Sequence, residues 1–280
     1  MRNAVIAILL VFSFSSHAVS AAVLERITES GVITVGYRED AAPYAYKNDI
    51  GEPAGYSVDL CRAVVAHIKR QLKLAEIKIS YHPVTGENRF EAVQEGRIDL
   101  LCGATTATLS RREIVDFSIP IFIDGASVLF RVDGPQDFES LAGHTIGVLS
   151  GTTTQDALRV TLQQLGVRAD VVTAETHEDG LRQLEEGRLS AYFADQAILL
   201  YLMLKSRDAA ALRVSKRLFT REPYALALPK DDGRFRLAVD RALSRIYRSG
   251  EIEKIYRGSF GDAQPGDLVL ALYAVSALPE

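Results

Sequence analysis

The stretch of residues 100–118 carries side chains that could hold a small acid. An apolar run ends at Gly103, a threonine-rich loop follows, and Arg111 stands at the start of a predicted helix. If the run is a strand, the loop lies at the sheet edge where open α/β sheets bind ligands. The arginine fork can grip a carboxylate with two hydrogen bonds. The stretch holds no nucleophile with its base, so it predicts binding. The loop hydroxyls belong to Thr105, Thr106 and Thr108.

Two further arginines and a tyrosine could face a ligand. Arg38 follows the first predicted strand and is either a ligand group or part of a surface salt bridge with Glu39 or Asp40, which would contribute little stability. Arg89, judged by its neighbours alone, would be a solvated helix residue. Tyr44 could pack against the stem of a ligand or lie in the core.

Polar residues also stand where later strands meet helices. Thr152 and Thr153 precede a predicted helix, whose first N–H groups favour an anion, although one threonine could simply cap the helix. His177 begins another predicted helix and, taken alone, would be solvated or a cap. Asp195 ends a strand, where it could accept from an ammonium group, cap the next helix, or do both.

The elements that must position these residues alternate between strand and helix, which predicts parallel sheets with right-handed crossovers. The order repeats after about residue 145, so we expect an α/β protein of two βαβ lobes joined by two crossover strands. The extended segments 117–130 and 218–228 fit those crossovers. A long helix over 57–74, with Ser57 as N-cap, should cover the first sheet. We expect the tail 264–280 to be an edge strand or loop.

The N-terminus predicts export from the cytoplasm. Residues Met1 to about Ala22 combine one arginine, an apolar run too short to span a bilayer and small residues at the end, as in a secretory signal peptide. The alternative is a membrane anchor or a buried helix. A formal charge of −4 without basic runs argues against nucleic-acid binding.

The two cysteines, Cys61 and Cys102, favour one disulfide in an oxidising compartment, with two buried thiols as the alternative. Their spacing is not that of a redox or zinc motif. We therefore expect no metal and no cofactor.

Six segments in register resemble bacterial extracytoplasmic solute-binding proteins for amino acids, the receptors of ABC importers, and especially glutamate/aspartate receptors. The resemblance implies the type II periplasmic-binding-protein fold, with lobe 1 formed by residues 23–121 plus 223–280 and lobe 2 by 122–222. The segments are Gly31–Asp40, Gly55–Val65, Pro83–Phe90, Leu100–Ser118, Leu149–Leu158 and Tyr192–Leu200.

The same resemblance implies roles for individual residues. Arg38, Arg89 and His177 would contact the distal carboxylate of the ligand, and the charge of the histidine would couple to affinity. Thr106 and Arg111 would bind the α-carboxylate.

Two positions depart from the pattern. Gly86 and Ala104 stand where glutamate/aspartate receptors carry serine, so two hydroxyls are missing from the expected pocket. One α-carboxylate cannot satisfy all three arginines, and a buried unpaired guanidinium would cost about 1–3 kcal/mol or more. The arginine count therefore still favours a dicarboxylic amino acid.

These observations lead to one main hypothesis and two alternatives. The chain is expected to be a periplasmic, monomeric receptor that closes over glutamate or aspartate by a hinge and delivers it to an ABC importer permease, with no catalytic residue. One alternative is an enzyme resembling cyclohexadienyl dehydratases, in which Glu222 would be the cleft acid. The other is a sensory module that docks on a membrane partner.

Overall fold

The computed structural model describes residues 22–280. The predicted signal peptide therefore lies outside the described residues, apart from Ala22. The helices within the described part are α1 (Val23–Ser30), α2 (Tyr56–Gln71), α3 (Arg89–Gln94), α4 (Leu109–Arg112), α5 (Thr153–Leu165), α6 (His177–Glu185), α7 (Gln196–Lys205), α8 (Gly233–Ser249), α9 (Glu251–Phe260) and α10 (Asp267–Ser276).

The strands form two five-stranded sheets and one small three-stranded sheet. They are β1 (Val32–Arg38), β2 (Asp40–Ala41), β3 (Ala45–Lys47), β4 (Pro53–Ala54), β5 (Lys78–Val84), β6 (Leu100–Cys102), β7 (Asp116–Asp124), β8 (Ala126–Arg131), β9 (Thr145–Leu149), β10 (Asp170–Ala174), β11 (Ala191–Asp195), β12 (Leu212–Val214) and β13 (Glu222–Leu228).

Each large sheet has a parallel part and an antiparallel part. In the first sheet, ordered β5-β1-β6-β13-β7, strand β1 is parallel to β5 and β6, and β13 is antiparallel to its neighbours. In the second, ordered β10-β9-β11-β8-β12, strand β9 is parallel to β10 and β11, and β8 is antiparallel to β11 and β12. The parallel parts come from the two βαβ repeats that the sequence predicted.

The chain passes between the sheets twice. Strand β7 of the first sheet leads through Gly125 into β8 of the second, and the chain returns after β12 to β13. The two-lobed α/β fold with two crossovers is thus confirmed, while the exact lobe boundaries stay a prediction. Thr220, on the return segment, accepts a hydrogen bond from the Ala126 N–H at 2.8 Å, so the two crossovers touch.

The predicted disulfide is confirmed. Cys61 on α2 is bonded to Cys102 on β6, with the Cα atoms 6.4 Å apart. The bond attaches α2 to the central part of the first sheet. The core also holds an aromatic cluster from the β2–β3 loop, α2, β7, β13 and α9, consisting of Tyr44, Tyr56, Phe122, Tyr224 and Phe260.

Two local predictions were wrong. Ser57 does not cap α2, since Gly55 occupies the N-cap position and the Ser57 hydroxyl donates to the Gly103 carbonyl at 3.1 Å. Gly55 has φ +112°, and a Cβ there would lie 2.7 Å from the Pro43 carbonyl oxygen, so only glycine fits. The tail 264–280 is neither strand nor loop but contains α10. Its apolar residues lie on both the buried and the exposed face, which hides the helical period.

Candidate functional site

The predicted ligand residues meet in the cleft between the lobes. Lobe 1 contributes residues at the end of β1, on α3, and after β6, and lobe 2 contributes the starts of α5 and α6 and the end of β11. Two contacts show how close the sides are: Thr106 Oγ1 lies 3.3 Å from Thr153 Oγ1, and Arg89 Nη2 donates to the Gly151 carbonyl at 3.2 Å. The cleft is therefore lined by both lobes at once.

Arg38 is a buried arginine that already has a carboxylate partner. Its side chain is 4% exposed, and Asp40 Oδ1 accepts from Nε at 3.0 Å and from Nη2 at 2.7 Å. Asp40 is one of the partners that the surface salt-bridge alternative named, but the pair is not on the surface. It stands at the cleft, where the second oxygen of Asp40 accepts from the His177 backbone N–H at 3.4 Å.

Arg89 is buried without an ion pair among residues 22–280, at 2% exposure. Its guanidinium donates to the carbonyls of Gly86 and Gly151 and lies 4.7 Å over the Phe90 ring, while its Nε has no partner within the described chain. The solvated-helix interpretation is thus wrong. Burial, followed by the charges of Arg111 and Arg38, lowers the pKa of Arg89 well below its usual value, which marks a charge that the surrounding protein leaves poorly compensated.

Arg111 lies over the same Phe90 ring as Arg89. Its Nη1 donates to the Thr106 carbonyl at 2.8 Å, and its guanidinium lies 4.8 Å from the centre of the Phe90 ring. Burial lowers the pKa of Arg111, although Glu222 and Asp195 oppose the shift. The next residue, Arg112, is exposed, and its guanidinium lies over the Phe117 ring instead.

Glu222 connects the threonines of the two lobes. Its Oε2 accepts hydrogen bonds from the hydroxyls of Thr106 and, at 2.6 Å, Thr153, and its Oε1 accepts from Thr220 at 2.9 Å. The carboxylate is only 3% exposed. Thr152, in contrast, caps α5 by accepting from the Gln155 N–H at 3.2 Å. Of the two expectations for these threonines, capping thus belongs to Thr152, and Thr153 faces the cleft.

His177 is buried rather than solvated, with 2% exposure. Thr176 caps α6 in its place, and His177 Nδ1 lies 3.0 Å from the Tyr192 hydroxyl. Burial, assisted by Arg38 and opposed by Asp40, lowers the pKa of His177 to about 3. The ring is therefore neutral near pH 7 and can take part as a hydrogen-bonding group rather than as a charge.

Two more carboxyl groups lie at the far end of the cleft. Asp124 accepts from the Tyr44 hydroxyl at 2.7 Å, and burial raises the pKa of Asp124 to about 6. Asp195 occupies the N-cap position of α7 but makes no side-chain cap, and its buried Oδ1 has no partner in the described chain. Burial, then the charges of Glu222 and Asp124, raises the pKa of Asp195 well above its usual value.

The remaining predicted positions line or support the cleft. Tyr44 has no exposed surface, and its ring packs edge-on against Tyr56, Phe122 and Tyr224. Ala104 is 9% exposed. A Cβ at Gly86 would lie 3.0 Å from the Ser150 carbonyl and 3.3 Å from Arg89 Nη1, so the glycine lets this arginine and lobe 2 approach each other.

Sequence reasoning missed three residues of the site. Asp124 and Tyr224 lie on the crossover strands, and Tyr192 supports His177. A lone carboxylate in the apolar stretch 117–130 was a signal for Asp124, because a buried charge needs a partner. Nothing in the sequence distinguished the two tyrosines from core aromatics, and Tyr224 keeps a buried hydroxyl without a partner among the described residues.

The arrangement suits a zwitterion that carries more than one carboxylate. The guanidinium groups of the buried Arg89 on α3 and the half-buried Arg111 on α4 share the cleft with carboxyl groups from the crossover strands and β11. Among the histidine, cysteine and acidic residues of 22–280, no group fits a metal ion. In the same range, no helix has both the length and the apolarity needed to cross a membrane.

Comparison with known proteins places the chain in a family of solute-binding proteins. Residues 33–262 match the family described as bacterial extracellular solute-binding proteins, family 3. The chain is 34% identical over 235 residues to an L-glutamate/L-aspartate-binding protein of Pseudomonas aeruginosa, covering 83% of this chain and 78% of that protein. It is 31% identical over 243 residues to the glutamate/aspartate import solute-binding protein of Escherichia coli, covering 86% and 80%.

A solved structure is also similar. The ancestral amino-acid-binding protein AncCDT-1, described as a precursor of cyclohexadienyl dehydratase, superimposes with a TM-score of 0.74 at 26% identity, covering 86% of this chain and 100% of that one. The family and these relatives are solute-binding proteins rather than enzymes.

Proposed function

The chain belongs to family 3 of the bacterial extracellular solute-binding proteins, and from this premise we propose that it binds glutamate or aspartate and delivers it to an ABC importer. The observation that carries the proposal is the set of three arginines in one cleft, Arg38 and Arg89 buried and Arg111 half-buried, of which only Arg38 has an ion pair within residues 22–280. The names of the relatives in Pseudomonas aeruginosa and Escherichia coli support the same ligand class.

We assign the ligand roles from the position of each side chain in the cleft and from the hydrogen-bond or ion-pair partners that it lacks. We assign the α-carboxylate to Arg111 with the hydroxyls of Thr106 and Thr153, which lie 3.3 Å apart beside the start of α5, whereas Thr152 caps that helix. A helix start also supplies backbone N–H donors to an anion. A neutral amino acid would leave the second guanidinium group without a counter-charge, which is costly in a buried site.

We assign the distal carboxylate to Arg89, with Arg38 and the neutral His177 beside it. The Nε of Arg89 is buried and without a partner among the described residues, and a bound carboxylate would supply one. Asp195, with its unpartnered Oδ1, is placed to accept from the ligand ammonium. The ammonium would also favour the ionised form of this carboxyl, whose pKa burial raises.

Delivery requires that the lobes open and close. The lobes, proposed as residues 23–121 plus 223–280 and 122–222, touch where Thr106 Oγ1 lies 3.3 Å from Thr153 Oγ1 and where Ser150 donates to Glu87 at 2.7 Å. Rotation at the crossovers would break these contacts without disturbing either sheet. We further propose that the protein works as a monomer in the periplasm and docks on its permease when closed.

Substitutions of two adjacent arginines test the assignment. Arg111→Ala should weaken glutamate, aspartate and neutral amino acids alike by at least 100-fold in calorimetry, because it removes the α-carboxylate partner. Arg112→Ala is the matched control, because Arg112 is the next residue and is exposed. The affinity of this variant for each amino acid should stay within twofold of the wild-type value. Equal affinities for the two variants would contradict the proposal.

Arg89→Ala separates the two carboxylates. It should weaken glutamate and aspartate at least tenfold more than alanine or leucine, which have no polar distal group. An unchanged glutamate affinity would show that the distal carboxylate lies elsewhere.

Consumption of prephenate by the wild-type protein, lost in Glu222→Gln, would support the enzyme alternative instead.

A further inference from the structure

Asp40 is a resident carboxylate at the place where the distal end of a ligand is proposed to bind. Its Oδ1 accepts from Arg38 Nε at 3.0 Å and from Nη2 at 2.7 Å, so one edge of that guanidinium is already occupied. Its Oδ2 accepts from the His177 N–H of the other lobe at 3.4 Å. Burial acts to raise the pKa of Asp40, but the charge of Arg38, its hydrogen bonds and the His177 backbone N–H lower the pKa overall, so the group is ionised at neutral pH.

Arg89 differs from Arg38 in this respect. It has no carboxylate partner within residues 22–280 and uses only backbone carbonyls, so it remains the donor for an incoming oxygen. A carboxylate oxygen has two lone pairs, and Asp40 Oδ2 uses one of them in a long hydrogen bond. The distal end of the cleft thus presents a donor, Arg89, and an acceptor with a free lone pair, Asp40 Oδ2, and the charge of Asp40 acts on Arg89.

The surroundings of Asp40 add negative charge and space. Asp40 and Gly86 line a cavity of about 430 Å³ between the lobes, together with the carboxylates of Glu39, Glu87 and Glu175. A second carboxylate placed beside Asp40 is repelled by it. A carboxamide is not, because its oxygen can accept from Arg89 while its NH₂ group donates to Asp40.

We propose that Asp40 determines specificity at the distal end of the site and that the protein binds the primary amides glutamine and asparagine as well as the acids. The inference rests on the proposed function, since it concerns the distal group of the same amino-acid ligand. In wild-type protein the dissociation constants of glutamine and glutamate should lie within about tenfold of each other.

The test compares two variants that remove one negative charge each. Asp40→Asn is isosteric, and its side-chain oxygen can still accept from Arg38. It should tighten glutamate at least fivefold and raise the ratio of the glutamine to the glutamate dissociation constant at least tenfold. Glu39→Gln is the matched control: Glu39 is adjacent and 42% exposed, and it faces Lys47. In Glu39→Gln the ratio of the glutamine to the glutamate dissociation constant should differ less than threefold from wild type.

Calorimetry with glutamate, glutamine and alanine decides between the outcomes. If Asp40→Asn weakens both ligands equally, or leaves their ratio unchanged, Asp40 only positions Arg38 and the inference fails while the receptor function stands. A wild-type preference for glutamate above 100-fold overturns it even if the variant does not fold. If wild-type protein binds neither glutamate nor glutamine, the proposed function fails and this inference fails with it.

Discussion

At the residue scale, the three arginines of the cleft differ in their ion-pair and hydrogen-bond partners. The sequence placed Arg38 at a strand end and Arg111 at a helix start, only the family resemblance singled out Arg89, and the fold brings all three together. It did not reveal that Arg38 is paired with Asp40 and Arg89 is not. Partners of this kind depend on contacts between loops and between lobes, which no local pattern encodes.

His177 gives a prediction at this scale. Burial lowers its pKa to about 3, whereas an unfolded chain binds the proton near pH 6.5. Below pH 6.5 the unfolded state therefore binds more protons than the folded state, so stability falls as the pH decreases from about 6.5 towards 3. The loss attributable to this group should reach about 2 kcal/mol at pH 5.

The measurement is urea denaturation of wild type and His177→Asn at pH 7 and pH 5. The difference in free energy of unfolding between the two should shrink by about 2 kcal/mol at the lower pH. The exposed His144 is the control residue, and the difference for His144→Asn should not change. A difference for His177→Asn that is the same at both pH values would show that the ring takes up a proton in the folded protein.

At the element scale, the regular elements were largely predictable and the exceptions have local causes. The alternation of strand and helix in the second lobe was predicted and is present, as in the order β9, α5, β10, α6 and β11. α10 was missed because its apolar residues lie on two faces, and α2 begins at Tyr56 because only glycine fits the preceding position. Tertiary packing decided both cases.

The disulfide between α2 and β6 should contribute measurably to stability. It closes a loop with a sequence separation of 41 residues, which corresponds to about 2–4 kcal/mol. The double variant Cys61→Ala/Cys102→Ala should lose this amount in urea denaturation. Dithiothreitol should destabilise wild type similarly and leave the double variant unchanged. A wild-type protein that keeps its stability after thiol assays confirm reduction would contradict this expectation.

The crossover region should tolerate no side chain at Gly125. A Cβ there would overlap the Thr220 carbonyl and lie 3.5 Å from Leu218 Cδ1. Gly125→Ala should therefore push the two crossovers apart and cost about 1–3 kcal/mol. Gly233→Ala is the control, because a Cβ at Gly233 meets nothing within 4 Å. Equal thermal midpoints for both variants would mean that the crossovers are not in contact.

At the scale of the whole molecule, the two lobes are held together by polar side chains that belong to the proposed ligand site. Glu222 accepts from Thr106 of one lobe and Thr153 of the other, and Arg89 donates to Gly151 across the cleft. Closure and ligand recognition thus share the same donors. The two-lobed fold was predictable from the repeat and the crossovers, whereas this sharing was not, because it depends on how the lobes meet.

The central claim is that the cleft is built for an amino acid with a second carboxylate. The most direct measurement is calorimetric titration of the purified, ligand-stripped protein with glutamate, aspartate, alanine and leucine. We expect micromolar or tighter binding of glutamate or aspartate and at least 100-fold weaker binding of alanine and leucine, because only the acids supply counter-charges to both Arg89 and Arg111. Equal affinity for alanine or leucine, or no binding of either acid, would contradict the account.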